Sequence, residues 1–308
     1  MPPGLRSLQF FPTFRCNQAC GFCFNRGLAA DEDCDAERFD RVLDVMSDSG
    51  IPELDILGGE PTLLSHLSER IDRAVSQEIA VNISTNGSNV PLLNRLAGRF
   101  PREQLRIGIS LNEDGVADGL AAFINAHRPI LKTVCTRMRT LPDLVEHYVR
   151  LPHTEFFLIF MDAIRQDDAD STISYPEYRR RLAELKQRCP NVHEVVCSGF
   201  LPDTDRYPEL AGVRCPAGTT KLSVMPDGSV YPCYLLFSHP EFRLGNILNS
   251  SLPSMLNNTK LDFFRTFQGN PCKERSCEYH SECHGGCPAV SLLVTGDRAA
   301  PDPRCQSQ

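Results

Sequence analysis

No stretch of this chain approaches about 20 uninterrupted apolar residues, the length a membrane-crossing helix needs, so a transmembrane helix is excluded. Residues 1–14 hold neither the apolar run nor the cleavage site of a secretory signal, which points to a cytoplasmic protein. An excess of positive charge is also missing. The 32 Lys and Arg face 39 Asp and Glu, a net charge of −7, which disfavours phosphate-driven binding to nucleic acid; the scattered arginines read as solvated surface. Internal repeats and low-complexity tracts are absent. What remains is a 308-residue chain, 41% apolar and 23% charged, able to bury a large core and to form two domains.

Cysteine is abundant, with fourteen residues, ten of them in two groups. Disulfide frameworks belong mostly to short secreted domains, so in a long chain without a signal this grouping favours metal or cluster ligation.

Short β-rich runs alternate with helix-like stretches. Strands are expected at Leu8–Phe14, Leu54–Leu57, Ala80–Ser84, Arg106–Leu111, Leu131–Arg137 and Glu155–Asp162, with helices such as Ala36–Ser49, Leu63–Ser76 and Asn89–Ala97 between them. Such alternation predicts an α/β fold with a parallel sheet, curved into a partial (β/α)6 TIM-like barrel whose site lies at the C-terminal strand ends. Tyr175–Arg188 reads as a charged helix. The chain then becomes rich in Pro, Gly and Cys, with a hairpin over Thr220–Pro232 built on Asp227-Gly228. The expected domains are therefore residues 1–195 and 196–308.

After the first strand stands Phe14-Arg15-Cys16-Asn17-Gln18-Ala19-Cys20-Gly21-Phe22-Cys23-Phe24. Three thiolates cannot close a tetrahedral metal site, but they can hold three irons of a four-iron, four-sulfur cluster and leave the fourth open for a ligand. After the second strand comes Gly58-Gly59-Glu60-Pro61. Its glycines let the backbone approach a ligand closely and its carboxylate can accept from an ammonium. Alone, it reads as a strand-to-helix turn with Pro61 starting the helix.

Together these motifs resemble those of the radical S-adenosylmethionine (SAM) superfamily, including the aromatic Phe22 before the third cysteine. The resemblance implies that Cys16, Cys20 and Cys23 hold a [4Fe-4S] cluster. Its open iron would bind the amino and carboxylate groups of SAM, and the reduced cluster, fed by flavodoxin or ferredoxin, would generate a 5′-deoxyadenosyl radical that abstracts hydrogen from the substrate. It also implies that Gly58, Gly59, Glu60 and Pro61 receive the methionine amino group. Ser84 and Asn86 on the third strand end, and Ser110 and Asn112 on the fourth, would touch ribose and carboxylate. Arg137 is expected at the SAM carboxylate, or else on the surface. If Arg137 points inward, so does Cys135 two residues before it. Cys135 is then a candidate hydrogen donor, the alternative being a small buried hydrophobe. Asp162 ends the sixth strand and is a candidate base or a helix cap.

The later cysteines, with Gly228-x4-Cys233 and Cys283-His284-Gly285-Gly286-Cys287, resemble the SPASM extension that binds one or two auxiliary [4Fe-4S] clusters. Carried over, Cys272, Cys277, Cys283 and Cys305 hold a distal cluster, and Cys215, Cys233 and Cys287 a proximal one, whose fourth ligand is open: Cys197 is the first candidate, Cys189 the second, and a substrate or water the third. The gap of four residues between Cys272 and Cys277 departs from the usual two. A pair of zinc sites is the alternative.

The cluster motif begins at residue 16 and the sequence runs three residues past Cys305, so a leader-binding domain is not expected. That compactness, with the Cys215-x17-Cys233 hairpin, resembles aminoglycoside-pathway dehydrogenases and epimerases of antibiotic biosynthesis. The expected substrate is therefore a small polyhydroxylated molecule, an aminocyclitol or sugar, oxidised to a ketone or epimerised. The alternative is a ribosomal-peptide or sulfatase maturase. A third possibility is a non-catalytic metal-binding module.

Overall fold

The alternating segments fold into one twisted sheet of ten strands in the order β10-β9-β8-β1-β2-β3-β4-β5-β6-β7. This computed structural model describes residues 4–28, 33–112, 116–137, 148, 155–196, 200–272 and 277–305. Strands β1 (Ser7–Phe10), β2 (Glu53–Ile56), β3 (Ala80–Thr85), β4 (Leu105–Ser110), β5 (Ile130–Cys135), β6 (Phe156–Phe160) and β7 (Val192–Val195) run parallel. The order has two free ends, so the sheet is an open, partial barrel. Helices α1 (Ala36–Asp48), α2 (Leu67–Ser76), α3 (Val90–Arg99), α4 (Asp118–His127) and α5 (Tyr175–Arg188) connect them.

Local chemistry fixes the helix starts. Asp35 caps α1 by accepting from the Arg38 amide at 2.8 Å, and Asn89 caps α3 by accepting from Leu92 at 3.2 Å. The expected helix over Leu63–Ser76 begins later, at Leu67. The Glu60 carboxylate instead captures the Thr62 amide at 3.0 Å and holds residues 61–63 in a 3-10 turn. Leu8, Phe10, Leu54, Ile56, Val81 and Ile83 pack beneath the helices in the main core. Each such side chain, fully buried, contributes about 1.5–3 kcal/mol.

The C-terminal segment continues this sheet. Strand β8 (Lys221–Val224) pairs in parallel with β1, Ser7 opposite Lys221. It turns back through Asp227-Gly228 into β9 (Ser229–Tyr231), and β10 (Gly245–Asn246) pairs antiparallel with β9. Gly228 has φ +80°, and a Cβ there would meet Asn246 and Leu248 within 3 Å, so the turn requires glycine. Short helices α6 (Leu252–Leu256), α7 (Asp262–Thr266), α8 (His280–Cys283) and α9 (Pro288–Thr295) complete the region.

Candidate active site

The cysteine loop after β1 and the glycine turn after β2 meet backbone to backbone. The Gly59 amide donates to the Thr13 carbonyl and the Glu60 amide to that of Arg15, both at 2.8 Å. A Cβ on Gly58 would lie 2.3 Å from the Thr13 oxygen, and one on Gly59 2.0 Å from the Arg15 oxygen. From the loop, the Asn25 side-chain amide donates to the Gly58 carbonyl at 2.6 Å. Arg165, beyond β6, donates to the Phe24 carbonyl at 2.8 Å and also to that of Arg26. The loop is thereby fastened on two sides.

Loop and turn form the rim of a cavity of about 200 Å³. Cys16, Cys20, Phe22 and Cys23 line it with Gly58 and Gly59; Ser84, Asn86, Ser110 and Asn112 line it from the ends of β3 and β4. Burial, followed by the neighbouring Cys16, pushes the Cys23 thiol above its usual range. Asn25 Oδ1 and Asn112 Oδ1 are buried acceptors without a hydrogen-bond partner among the described residues, both in residues of this wall. A ligand rich in hydroxyl or ammonium donors would satisfy them.

Lys132 sits deeper on β5. It is 1% exposed and donates from Nζ to Ser84 Oγ at 2.7 Å, with the Phe200 ring 3.4 Å from the ammonium. Burial drives its pKa well down, against the attraction of Asp55. Gly108 in mid-β4 makes room: a Cβ there would lie 2.3 Å from Lys132 Cε. Lys132 is the sole Lys or Arg among the residues lining this cavity.

On the far wall, Asp162 accepts a hydrogen bond from the Tyr234 hydroxyl. Burial raises the Asp162 carboxyl above its ordinary range, with Arg304 pulling the other way. Tyr234 also packs on Phe24 at 4.8 Å and Phe11 at 5.9 Å, joining the cysteine loop to the segment after Cys233.

Several expected site residues fall elsewhere. Glu60 is fully buried outside the cavity wall; its carboxylate accepts from the Thr62 amide and hydroxyl, the Thr85 hydroxyl and the Asn86 amide at 2.6–3.0 Å. It organises the turn, Pro61 is likewise buried behind it, and only the glycines line the cavity. Arg137 is exposed beyond the end of β5, its Nε donating to the Thr172 carbonyl at 3.3 Å. The inward parity of β5 belongs to Lys132 and Val134. Cys135 therefore faces the helices, in the main core with Tyr178, and burial pushes its thiol up to about 11. Cys135→Ala is expected to leave turnover intact and cost about 1 kcal/mol, read by substrate assay and denaturant melting.

A second cavity, of about 110 Å³, gathers Cys215, Cys283, Cys287 and Cys305. Burial and then Cys287 push Cys215 up to about 12; burial and then Cys277, Cys283 and Cys305 push Cys272 to about 12. Cys233 is buried in the aromatic core and lines neither cavity. Cys197 lies outside the described residues. Among the described residues no three His, Cys, Asp or Glu side chains are already closed on one metal-sized point. The thiols are neighbours, and three on one loop facing a cavity with two unmet acceptors fit an iron–sulfur cluster and its ligand. No described helix is long and apolar enough to cross a membrane.

Residues 10–114 match the radical SAM superfamily, and residues 215–288 match SPASM, an iron–sulfur cluster-binding domain. The PqqA peptide cyclase of Bradyrhizobium diazoefficiens is 25% identical, the match covering 95% of this chain and 84% of that protein. SuiB of Streptococcus suis, bound to its precursor peptide SuiA, superposes with a TM-score of 0.70 at 20% identity over 99% of this chain and 76% of its own. The anSMEcpe protein with bound AdoMet and Kp18Cys peptide gives 0.69 at 18% identity over 99% and 94%. These two structures establish the likeness of fold.

Fold, motifs and matches define a radical SAM enzyme. The chain belongs, more particularly, to those members that carry a C-terminal SPASM domain, whose cofactors are SAM, a [4Fe-4S] cluster and auxiliary iron–sulfur clusters.

Proposed function

We propose that this enzyme modifies a peptide by hydrogen abstraction from one of its C–H bonds, with oxidative closure of a crosslink as the net reaction. The observation that carries this reading is the near full-length likeness to a peptide cyclase. The sugar-oxidation expectation gives way to its peptide alternative on that ground.

Cys16, Cys20 and Cys23 would hold the [4Fe-4S] cluster, which would supply the reducing electron for SAM cleavage. The backbone of Gly58 and Gly59 receives the methionine end. Asn112 Oδ1, unmet among the described residues, takes a ribose hydroxyl. Lys132 takes the carboxylate in place of Arg137: among the described residues it is the Lys or Arg that lines the cavity, and the carboxylate would favour its charged form. Asp162, hydrogen-bonded to Tyr234, receives the proton lost from the substrate. Cys272, Cys277, Cys283 and Cys305 would form the distal auxiliary site, and Cys215 and Cys287, which line the second cavity, the proximal one together with Cys233, which lies in the aromatic core outside that cavity's wall. The functional division stands near residue 195.

A second reading, oxidation of a polyhydroxylated small molecule, is favoured by the same Asp162–Tyr234 pair, since a carboxylate suits a hydroxyl proton. Its epimerase form is weakened: among the described residues the thiols lining the reaction cavity are Cys16, Cys20 and Cys23 alone.

Anaerobic incubation of reconstituted enzyme with SAM and reductant separates these readings. Short peptides encoded beside its gene and a panel of aminocyclitols serve as substrates. A peptide two hydrogens lighter, with one 5′-deoxyadenosine per turnover, is the expected result. Turnover of an aminocyclitol alone would overturn the peptide reading.

A further inference from the structure

The reaction cavity and the SPASM cysteine cavity are joined by one buried ionic link. Arg304 lines the second cavity and is 4% exposed. It meets Asp302 through two parallel hydrogen bonds, Nε to Oδ1 at 3.0 Å and a terminal nitrogen to Oδ2 at 2.7 Å. Its other terminal nitrogen donates to the Met161 carbonyl at 3.0 Å and lies 3.9 Å from Asp162 Oδ1. The guanidinium stacks over Phe160 at 4.6 Å.

Asp302 reaches the other way. Its Oδ2 also accepts from the Cys287 amide at 2.8 Å. A Cβ on Gly286 would lie 2.2 Å from Asp302 Cβ, so glycine is required for this approach. Hydrogen bonds thus run from Tyr234 to Asp162 and from Arg304 through Asp302 to the Cys287 backbone, and the two stretches are bridged by the 3.9 Å ion pair between Asp162 and Arg304. In a buried network of this kind each hydrogen bond polarises the next, and charge at one end is felt at the other.

We propose that Arg304, held by Asp302, is a positioning residue that couples the charge of Asp162 in the reaction cavity to the iron–sulfur cluster held at Cys287. Oxidising a substrate radical releases one proton and one electron. Asp162 is the acceptor for the proton and an auxiliary cluster the one-electron acceptor for the other. Arg304 stands between them, so neutralising Asp162 leaves the guanidinium's charge less compensated and favours the extra electron at the cluster. The inference rests on reading Asp162 as a group of the reaction cavity, and is independent of whether the substrate is a peptide.

The test is an EPR-monitored redox titration of the holoenzyme without substrate, in alkaline buffer, which favours the ionised form of the buried Asp162. The auxiliary signals are those that SAM addition does not shift. Asp162→Asn is expected to raise the auxiliary midpoint potential, and Arg304→Gln to lower it. In the double variant the two shifts are expected not to sum, because the residues act through one link. Arg304→Lys keeps the charge and loses the fork; it is expected to fall between wild type and Arg304→Gln. Should Arg304→Gln fail to assemble its clusters, Arg304→Lys takes its place in the cycle. An auxiliary potential untouched by Asp162→Asn would overturn the proposal, and so would strictly additive shifts. The wild-type response to peptide stands as a separate measurement, so failure of one reading does not mask the other.

Discussion

Gly59→Ala is expected to abolish SAM binding and to destabilise the protein by about 3 kcal/mol or more. The new Cβ would stand 2.0 Å from the Arg15 carbonyl oxygen, 2.5 Å from its carbon and 2.6 Å from the Phe14 oxygen. All three are backbone atoms of the loop that carries the first cysteine, and no rotamer can relieve them. Separation would also strain the amide bonds from Gly59 to Thr13 and from Glu60 to Arg15. Ala at Gly98, where nothing lies within 4 Å of a Cβ, is the matched control and is expected to be stable. Calorimetric titration with SAM and urea unfolding read the two effects. A Gly59→Ala protein that bound SAM normally would show that the loop and turn are not rigidly joined.

Lys132→Met is expected to lower SAM affinity about 10- to 100-fold, the loss of one charge-assisted hydrogen bond, while making the ligand-free protein no less stable. The pH dependence carries the sign. Burial lowers the folded-state pKa of Lys132, whereas the unfolded chain keeps a value near about 10.4. Between those values the unfolded chain binds more protons, so stability rises with pH. The deficit is complete below the folded value and gone above the unfolded one. Lys132→Met removes that slope, and urea melts of the two proteins from about pH 7 to about pH 10 compare it directly. SAM binding should draw a proton onto Lys132 in the wild type, since its carboxylate restores the charged form. Equal buffer-dependent heats for wild type and Lys132→Met would refute the pairing.

The cysteine loop, the glycine turn and the serine and asparagine strand ends were legible in the sequence because each is a local pattern tied to one strand end. The six main strands and the Asp227-Gly228 hairpin were legible for the same reason. Errors came where a long-range choice decides. Parity along β5 was read from Arg137, but the strand ends at Cys135, and the inward face belongs to Lys132 and Val134. The glycine at 108, unusual in a strand interior, was the available signal that a long side chain passes there. The Glu60 carboxylate accepts from Thr62, Thr85 and Asn86, up to 26 residues away, contacts that no local pattern around Gly58–Pro61 shows. Tyr234 and Arg304 carry no motif; only the folded chain brings them to Asp162.

The pairing of β1 with β8 has a consequence for synthesis. Gln9 and Ser223 touch across a sequence separation of 214 residues. Until residues 221–224 leave the ribosome, one edge of the first strand is an open template for other chains. The nascent protein must therefore shelter that edge through most of its translation, and the loop bearing Cys16, Cys20 and Cys23 hangs from the same unfinished strand. Chains halted before Lys221 should aggregate, and iron–sulfur loading should lag behind completion of the polypeptide.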